Sequence, residues 1–144
     1  MLDTQQSGIQ ILPLENGDRL SQHEFERCYT AMSQLKKAEL IEGVVYMASP
    51  VRHKSHGNHA AIMAWLSDYW IATPGVDLGD NTTVRLDLDN EPQPDALLRI
   101  SGGRSHISDD DYIEGAPELI LEIAASSANY DLHDKKRAYR RNSV

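Results

Sequence analysis

The sequence predicts a mixed β-sheet flanked by helices, in the α/β or α+β class. Three features carry this: a helix-capping signature near the N-terminus, one long run of helical hydrophobic spacing, and a series of short alternating or apolar runs bounded by turn residues. Residues 1–19 carry no such pattern and are expected as a flexible N-terminal arm, with a single domain over 20–144. Order is expected from Ser21. Ser21-Gln22-His23-Glu24 is a capping box, and Leu20 and Phe25 take the positions of a hydrophobic staple, so a helix should run from about Gln22 to Met32. Ala38 to Ala48 reads as two extended runs around Gly43, a hairpin or one bent strand, closing before Pro50.

From about Ser55 to Thr73, Ala60, Ile62, Met63, Leu66, Tyr69 and Trp70 fall at helical spacing, and Thr73-Pro74-Gly75 ends the run. Strands are then expected at Val76-Asp77-Leu78, over 82–88, and from Asp95 to Ile100. Residues 101–117 read as a polar loop with a helical turn near Asp110 to Ile113. The apolar run Leu119-Ile120-Leu121-Glu122-Ile123-Ala124 suits a central strand. Asp131 is placed to cap a last helix bearing Lys135, Lys136, Arg137, Arg140 and Arg141.

The chain has 144 residues, 40% hydrophobic and 25% charged, enough for one core without metal or disulfide staples. The composition excludes collagen-like, disulfide-scaffold and wholly disordered classes. No apolar run is long enough to span a bilayer and the first residues lack a signal-peptide pattern, so a cytoplasmic location and no membrane partner are expected. The single cysteine, Cys28, agrees with a reducing compartment. Net charge is −8, but unevenly spread: residues 1–134 carry −13 and the last ten carry +5. Bulk charge therefore disfavours non-specific nucleic-acid binding, while leaving room for a local basic patch.

Candidate chemistry rests on acids whose surroundings predict burial. Asp95 follows Pro92-Gln93-Pro94 and opens an apolar strand, Glu122 interrupts an apolar run, and Glu39 and Glu42 sit in the hairpin. Buried carboxylates are costly unless paired, hydrogen-bonded or metal-bound. Asp95 and Glu122 on neighbouring strands could supply a pair for a hard cation such as Mg2+, or could be salt-bridged to an arginine. His53, His56 and His59 drift round the helix at steps of three, a weak zinc pattern. His23, His106 and His133 suggest no role. A phosphate loop, a dinucleotide fingerprint and a Gly-x-Ser-x-Gly elbow are all missing.

The stretch Lys37 to Pro50, a His-bearing long helix, Gln93-Pro94-Asp95, Tyr112 to Ile123, and Tyr130-Asp131 with Lys135 and Tyr139 together resemble the Uma-type restriction endonuclease family, a branch of the PD-(D/E)xK nuclease superfamily. The likeness spans roughly Leu20 to Val144. It implies a restriction endonuclease-like core and a Mg2+-dependent endonuclease acting on DNA, with Mn2+ as a substitute and a homodimer as the acting form. In this resemblance Asp95 and Glu122 match the metal-holding acids, and Lys135, from the following helix, stands in for the lysine missing from Glu122-Ile123-Ala124. Glu39, or else Glu42, matches an additional upstream glutamate of the catalytic set. Metal held by Asp95 and Glu122 would polarise the phosphate and activate water, and Lys135 would orient or help deprotonate that water. Tyr139, one turn beyond Lys135, could pack over it. Lys136, Arg140, Arg141 and His56 are the expected nucleic-acid contacts. Relatives continue into at least one further strand, so a C-terminally shortened domain is expected.

Two rival readings stand beside this one. A non-catalytic nuclease-like module would bind nucleic acid or protein without cleavage. A glycosidase using two carboxylates would act without metal.

Overall fold

Three helices and eight short strands form the described residues of a computed structural model, namely 11–35, 37–47, 53–123 and 129–144, without the side chains of 53–56 and 129–131. In α1 (Gln22–Ala31), Ser21 Oγ accepts from Glu24 N at 3.4 Å and Glu24 Oε2 accepts from Ser21 N at 2.9 Å, so the capping box forms as the sequence predicts. Phe25 is fully buried and stacks on Tyr29, and Leu20 packs against the same cluster.

β1 (Ala38–Ile41) and β2 (Val44–Met47) form an antiparallel hairpin whose two turn residues, Glu42 (φ 51°) and Gly43 (φ 74°), are both left-handed, as a tight hairpin of right-twisted strands requires. The segment expected as a free arm departs from that expectation in its described part. Gly17 N donates to Val45 O and Val45 N to Asp18 O, each at 2.8 Å, and Leu14 is buried beside Phe25, Leu40 and Val45. The open edge of β2 offers backbone partners that a polar segment with one well-placed leucine can use.

α2 (His53–Ala72) covers the antiparallel sheet β3 (Val76–Asp80), β5 (Ala96–Ile100) and β8 (Leu119–Leu121), in the order β3-β5-β8. Ile62, Met63 and Leu66 pack on Ala96 and Leu98. Ala60, Tyr69 and Trp70, expected on the same buried stripe, are exposed. A helix of 20 residues outreaches strands of 5 or fewer, so it runs beyond the sheet it covers. The central strand is β5, whereas β8 is three residues long, ends before Glu122 and is paired on one side only among the described residues.

A second small sheet, in the order β4-β7-β6, joins β4 (Val84–Arg85) in parallel with β7 (Ile113–Glu114), which pairs antiparallel with β6 (His106–Ile107). The strand expected over 82–88 is thus reduced to two ladder residues, because Asp87 and Asn90 close a turn on each other. No helical turn forms at 110–113. Asp111 is left-handed (φ 67°) and the Ser108 hydroxyl bonds the Tyr112 backbone, which makes a β-turn instead. α3 (Asn129–Arg141) starts before Asp131, so that residue lies in the first turn rather than at the cap. Among the described residues no helix is long and apolar enough to cross a membrane.

Glu91 links α1 to the hairpin: its backbone exchanges hydrogen bonds with Leu40, and its carboxyl accepts from Gln22 Nε2 at 3.1 Å. It is 1% exposed, and burial, with Glu26 beside it and only partial relief from Gln22 and Arg85, pushes its pKa up to about 8. The folded chain therefore holds this proton more tightly than the unfolded one. The resulting stabilisation is complete below the ordinary glutamate value of 4.5 and is lost as pH rises through about 8. Glu91→Gln, which cannot ionise, should raise Tm relative to the parent at about pH 9, by about 3 °C or more, with little difference at about pH 5. Thermal melts across pH check this, and equal losses of Tm with pH in both proteins would contradict it.

Candidate functional site

Four segments distant in sequence meet at one end of the β3-β5-β8 sheet. The register Ala96↔Leu121 sets Asp95 just before β5 and Glu122 just after β8 at adjoining strand ends. Pro94 and Pro92 hold the approach to β5 extended, and both are buried. Asp95 Oδ2 accepts from Ile123 N at 2.7 Å, which ties the two strand ends together. Its other oxygen, Oδ1, faces Lys37 Nζ at 3.5 Å.

Glu39, at the second position of β1, turns its carboxylate to the same place, where Oε1 accepts from Gln93 N at 2.8 Å and from Lys135 Nζ at 2.7 Å. Lys135 Nζ reaches Glu122 Oε1 at 3.0 Å as well. That oxygen also accepts from the Tyr139 hydroxyl at 2.5 Å. α3 delivers both donors because positions 135 and 139 are one turn apart, and Ala138, fully buried between them, lets the helix approach closely.

The electrostatics follow from burial. Glu122 is pushed up by desolvation, opposed by Lys135 and reinforced by the neighbouring Glu39. Desolvation alone would lower Lys135, but the Glu39 and Glu122 carboxylates outweigh it and its pKa is raised. Lys135 is therefore a cation at neutral pH. Burial, then the Glu122 carboxylate, raises Tyr139, so its phenol stays neutral and a donor. Three carboxylates against the ammonium groups of Lys37 and Lys135 leave the cluster with one formal negative charge.

Of the residues singled out in the sequence, Glu39, Asp95, Glu122 and Lys135 come together here. Glu42 does not. One residue past β1 and across the turn, it pairs with Arg141 at 3.0 Å. Arg141, expected to face nucleic acid, is engaged instead by Glu42 and Asp87 at the hairpin side. Lys136 and Arg140 are exposed and line an open hollow of about 460 Å³ with His133 and Arg137. The His56 side chain lies outside the described residues. His59 is the described histidine nearest Asp95: its Nε2 lies 3.0 Å from Asp80 Oδ1 and 3.1 Å from the Asp95 carbonyl oxygen.

Lys37, Gln93 and the Tyr139 donor escaped the sequence reading. For Lys37 a signal existed, because it stands two residues before Glu39 and strand alternation puts both on one face. For Gln93 there was none, since its contribution is a backbone amide.

Among the described residues no three His, Cys, Asp or Glu side chains converge as a ready metal cage. The donor set that is present, two carboxylates at adjoining strand ends with Asp95 Oδ1 turned to a cation, suits a hard ion that completes its shell with water and phosphate oxygen. A family profile described as "Uma2: Putative restriction endonuclease" matches residues 22–144. No curated protein matches the chain.

Removing the shared ammonium should leave Glu39 and Glu122 facing each other with a buried charge uncompensated. Lys135→Ala is expected to destabilise the fold by about 3–5 kcal/mol at neutral pH. Tyr139→Phe, which loses one hydrogen bond to a charged group, should cost about 1.5–3 kcal/mol. Denaturant unfolding measures both, and a Lys135→Ala protein as stable as the parent would contradict the bridging role.

Proposed function

The chain belongs to the Uma2 family, and from that premise we propose that it is an endonuclease hydrolysing DNA phosphodiester bonds with a divalent cation, Mg2+ or in its place Mn2+. One observation carries the reading: Glu39, Asp95, Glu122 and Lys135, from four separate segments, converge in a half-closed acidic cluster bridged by an ammonium within 3.0 Å of two carboxylates.

In this reading Asp95 and Glu122 would hold the cation, which when bound supplies Lewis-acid polarisation of the phosphate and a more acidic water. The protein's own groups do the rest. Tyr139 and Lys135 fix the Glu122 carboxylate from two directions, so its oxygens are set before substrate arrives. Lys135, held protonated by its two acids, balances negative charge that grows on the phosphorane-like oxygens and orients rather than deprotonates the attacking water. Glu39 fixes Lys135 and is itself fixed by Gln93 N. Lys136 and Arg140, which have no ion-pair partner among the described residues, offer phosphate contacts along the outer face of α3. A homodimer would present two such sites, one for each strand of a duplex.

The rival, a nuclease-like module that binds without cutting, draws on the same cluster, because each of its carboxylates already faces a lysine ammonium, Lys37 or Lys135. Supercoiled plasmid incubated with the protein in Mg2+ or Mn2+ separates the two. Metal-dependent nicking or linearisation that disappears with EDTA and in Asp95→Ala is expected, whereas binding without cutting in any metal would favour the module. For DNA affinity, the doubly substituted Lys136→Ala/Arg140→Ala protein should bind more weakly and lose about 2 from the slope of log affinity against log salt, about 0.9 per phosphate contact. Arg141→Ala should leave that slope unchanged.

A further inference from the structure

The two lysines that reach the acidic cluster are held very differently. Lys135 sits between Glu39 and Glu122 at 2.7 and 3.0 Å, and its side chain is 9% exposed. Lys37 meets one carboxylate oxygen at 3.5 Å, and its side chain is 25% exposed. The first contact is short, doubled and closed to solvent. The second is long, single and open to it, so it constrains Lys37 weakly.

What Lys37 faces matters more than how tightly it is held. Asp95 Oδ2 is committed to Ile123 N at 2.7 Å, in the contact that joins the two strand ends. Oδ1 is therefore the oxygen Asp95 can turn to a cation without loosening the sheet, and the cation now beside it is Lys37 Nζ. A divalent ion bound to Oδ1 and a lysine ammonium beside the same oxygen repel each other. Lys135 also touches a proposed metal ligand, Glu122, but it is pinned between two carboxylates at 2.7 and 3.0 Å and makes no ion pair with Asp95, so it has no comparable freedom to leave. Lys37 also has somewhere to go, being on the chain just ahead of β1, partly exposed, and carried on a flexible four-carbon stem.

Resting on the metal-dependent reading above, we propose that Lys37 is a placeholder cation for Asp95 Oδ1, displaced when a divalent ion binds, and that its freed ammonium then meets a substrate phosphate oxygen. The site thus keeps its acids compensated when empty and gains a phosphate-facing cation when loaded. No bond is made or broken in this exchange of partners.

The two halves make opposite demands on one variant. Removing the competing ammonium in Lys37→Met should tighten Mn2+ binding by about threefold or more, read by calorimetry on the full chain. The same variant should bind a short DNA duplex more weakly by about threefold or more, measured with Ca2+ as the oxygen-preferring cation, and Lys37→Arg should restore duplex binding. Thermal melting within about 3 °C of the parent would establish that Lys37→Met is folded, as its partial exposure leads one to expect.

A Lys37→Met protein with unchanged or weaker Mn2+ affinity overturns the placeholder role. Tighter Mn2+ binding with unchanged duplex affinity overturns the phosphate role. Absence of Mn2+ binding by the folded parent chain overturns the metal-dependent reading itself and this inference with it, so the two failures are told apart by which protein fails to respond.

Discussion

One buried ammonium holds the strand-bearing half of this protein to its last helix. Lys135 Nζ lies between a carboxylate from β1 and another just past β8, and each of the three groups would be costly to bury without the others. The arrangement dictates much around it. Ala138 must be small for α3 to come close, Tyr139 must occupy the next turn to give Glu122 a second donor, and Gln93 must offer its amide to Glu39. A well-packed apolar cluster could have joined the same elements at no greater cost in free energy, so the charged solution has its rationale in the chemistry proposed for the site.

What could be read in the sequence depended on how local its cause was. The capping box at Ser21 and Glu24, the Glu42-Gly43 turn and the long helix after Pro50 are each encoded within a few neighbouring residues, and each forms. The placement of Asp95 and Glu122 on neighbouring strands was accessible because one acid opens an apolar strand and the other interrupts an apolar run. Expectations failed where a tertiary limit or a tight turn cut across the pattern. Strands shorter than the helix leave Tyr69 and Trp70 exposed on a helix whose spacing looks fully amphipathic, and the turn closed by Asp87 and Asn90 cuts short a strand whose alternation runs on. Glu39 and Glu42 could not be told apart by pattern. Strand alternation and the reversal at the turn send one to Lys135 and the other to Arg141.

α3 divides four of its five basic residues among three tasks. Lys135 faces inward to the acids, Arg141 ties the end of the helix to the hairpin, and Lys136 and Arg140 stay at the surface beside His133. A count of positive charge along the last ten residues therefore overstates the surface available to a polyanion. Arg137, paired with Asp134 on its own helix, is further compensated.

The contact between Arg141 and Glu42 spans 99 positions of the chain, while the hairpin that carries Glu42 is built from immediate neighbours. Such a difference in sequence separation orders events in time. The hairpin can close within microseconds, but the acidic cluster waits for α3, the last of the described elements, to return to β1. Until it does, Glu39 and Glu122 remain hydrated and apart, and a nascent chain still lacking α3 has no assembled cluster. On a ribosome the cluster therefore stays open until α3 has emerged.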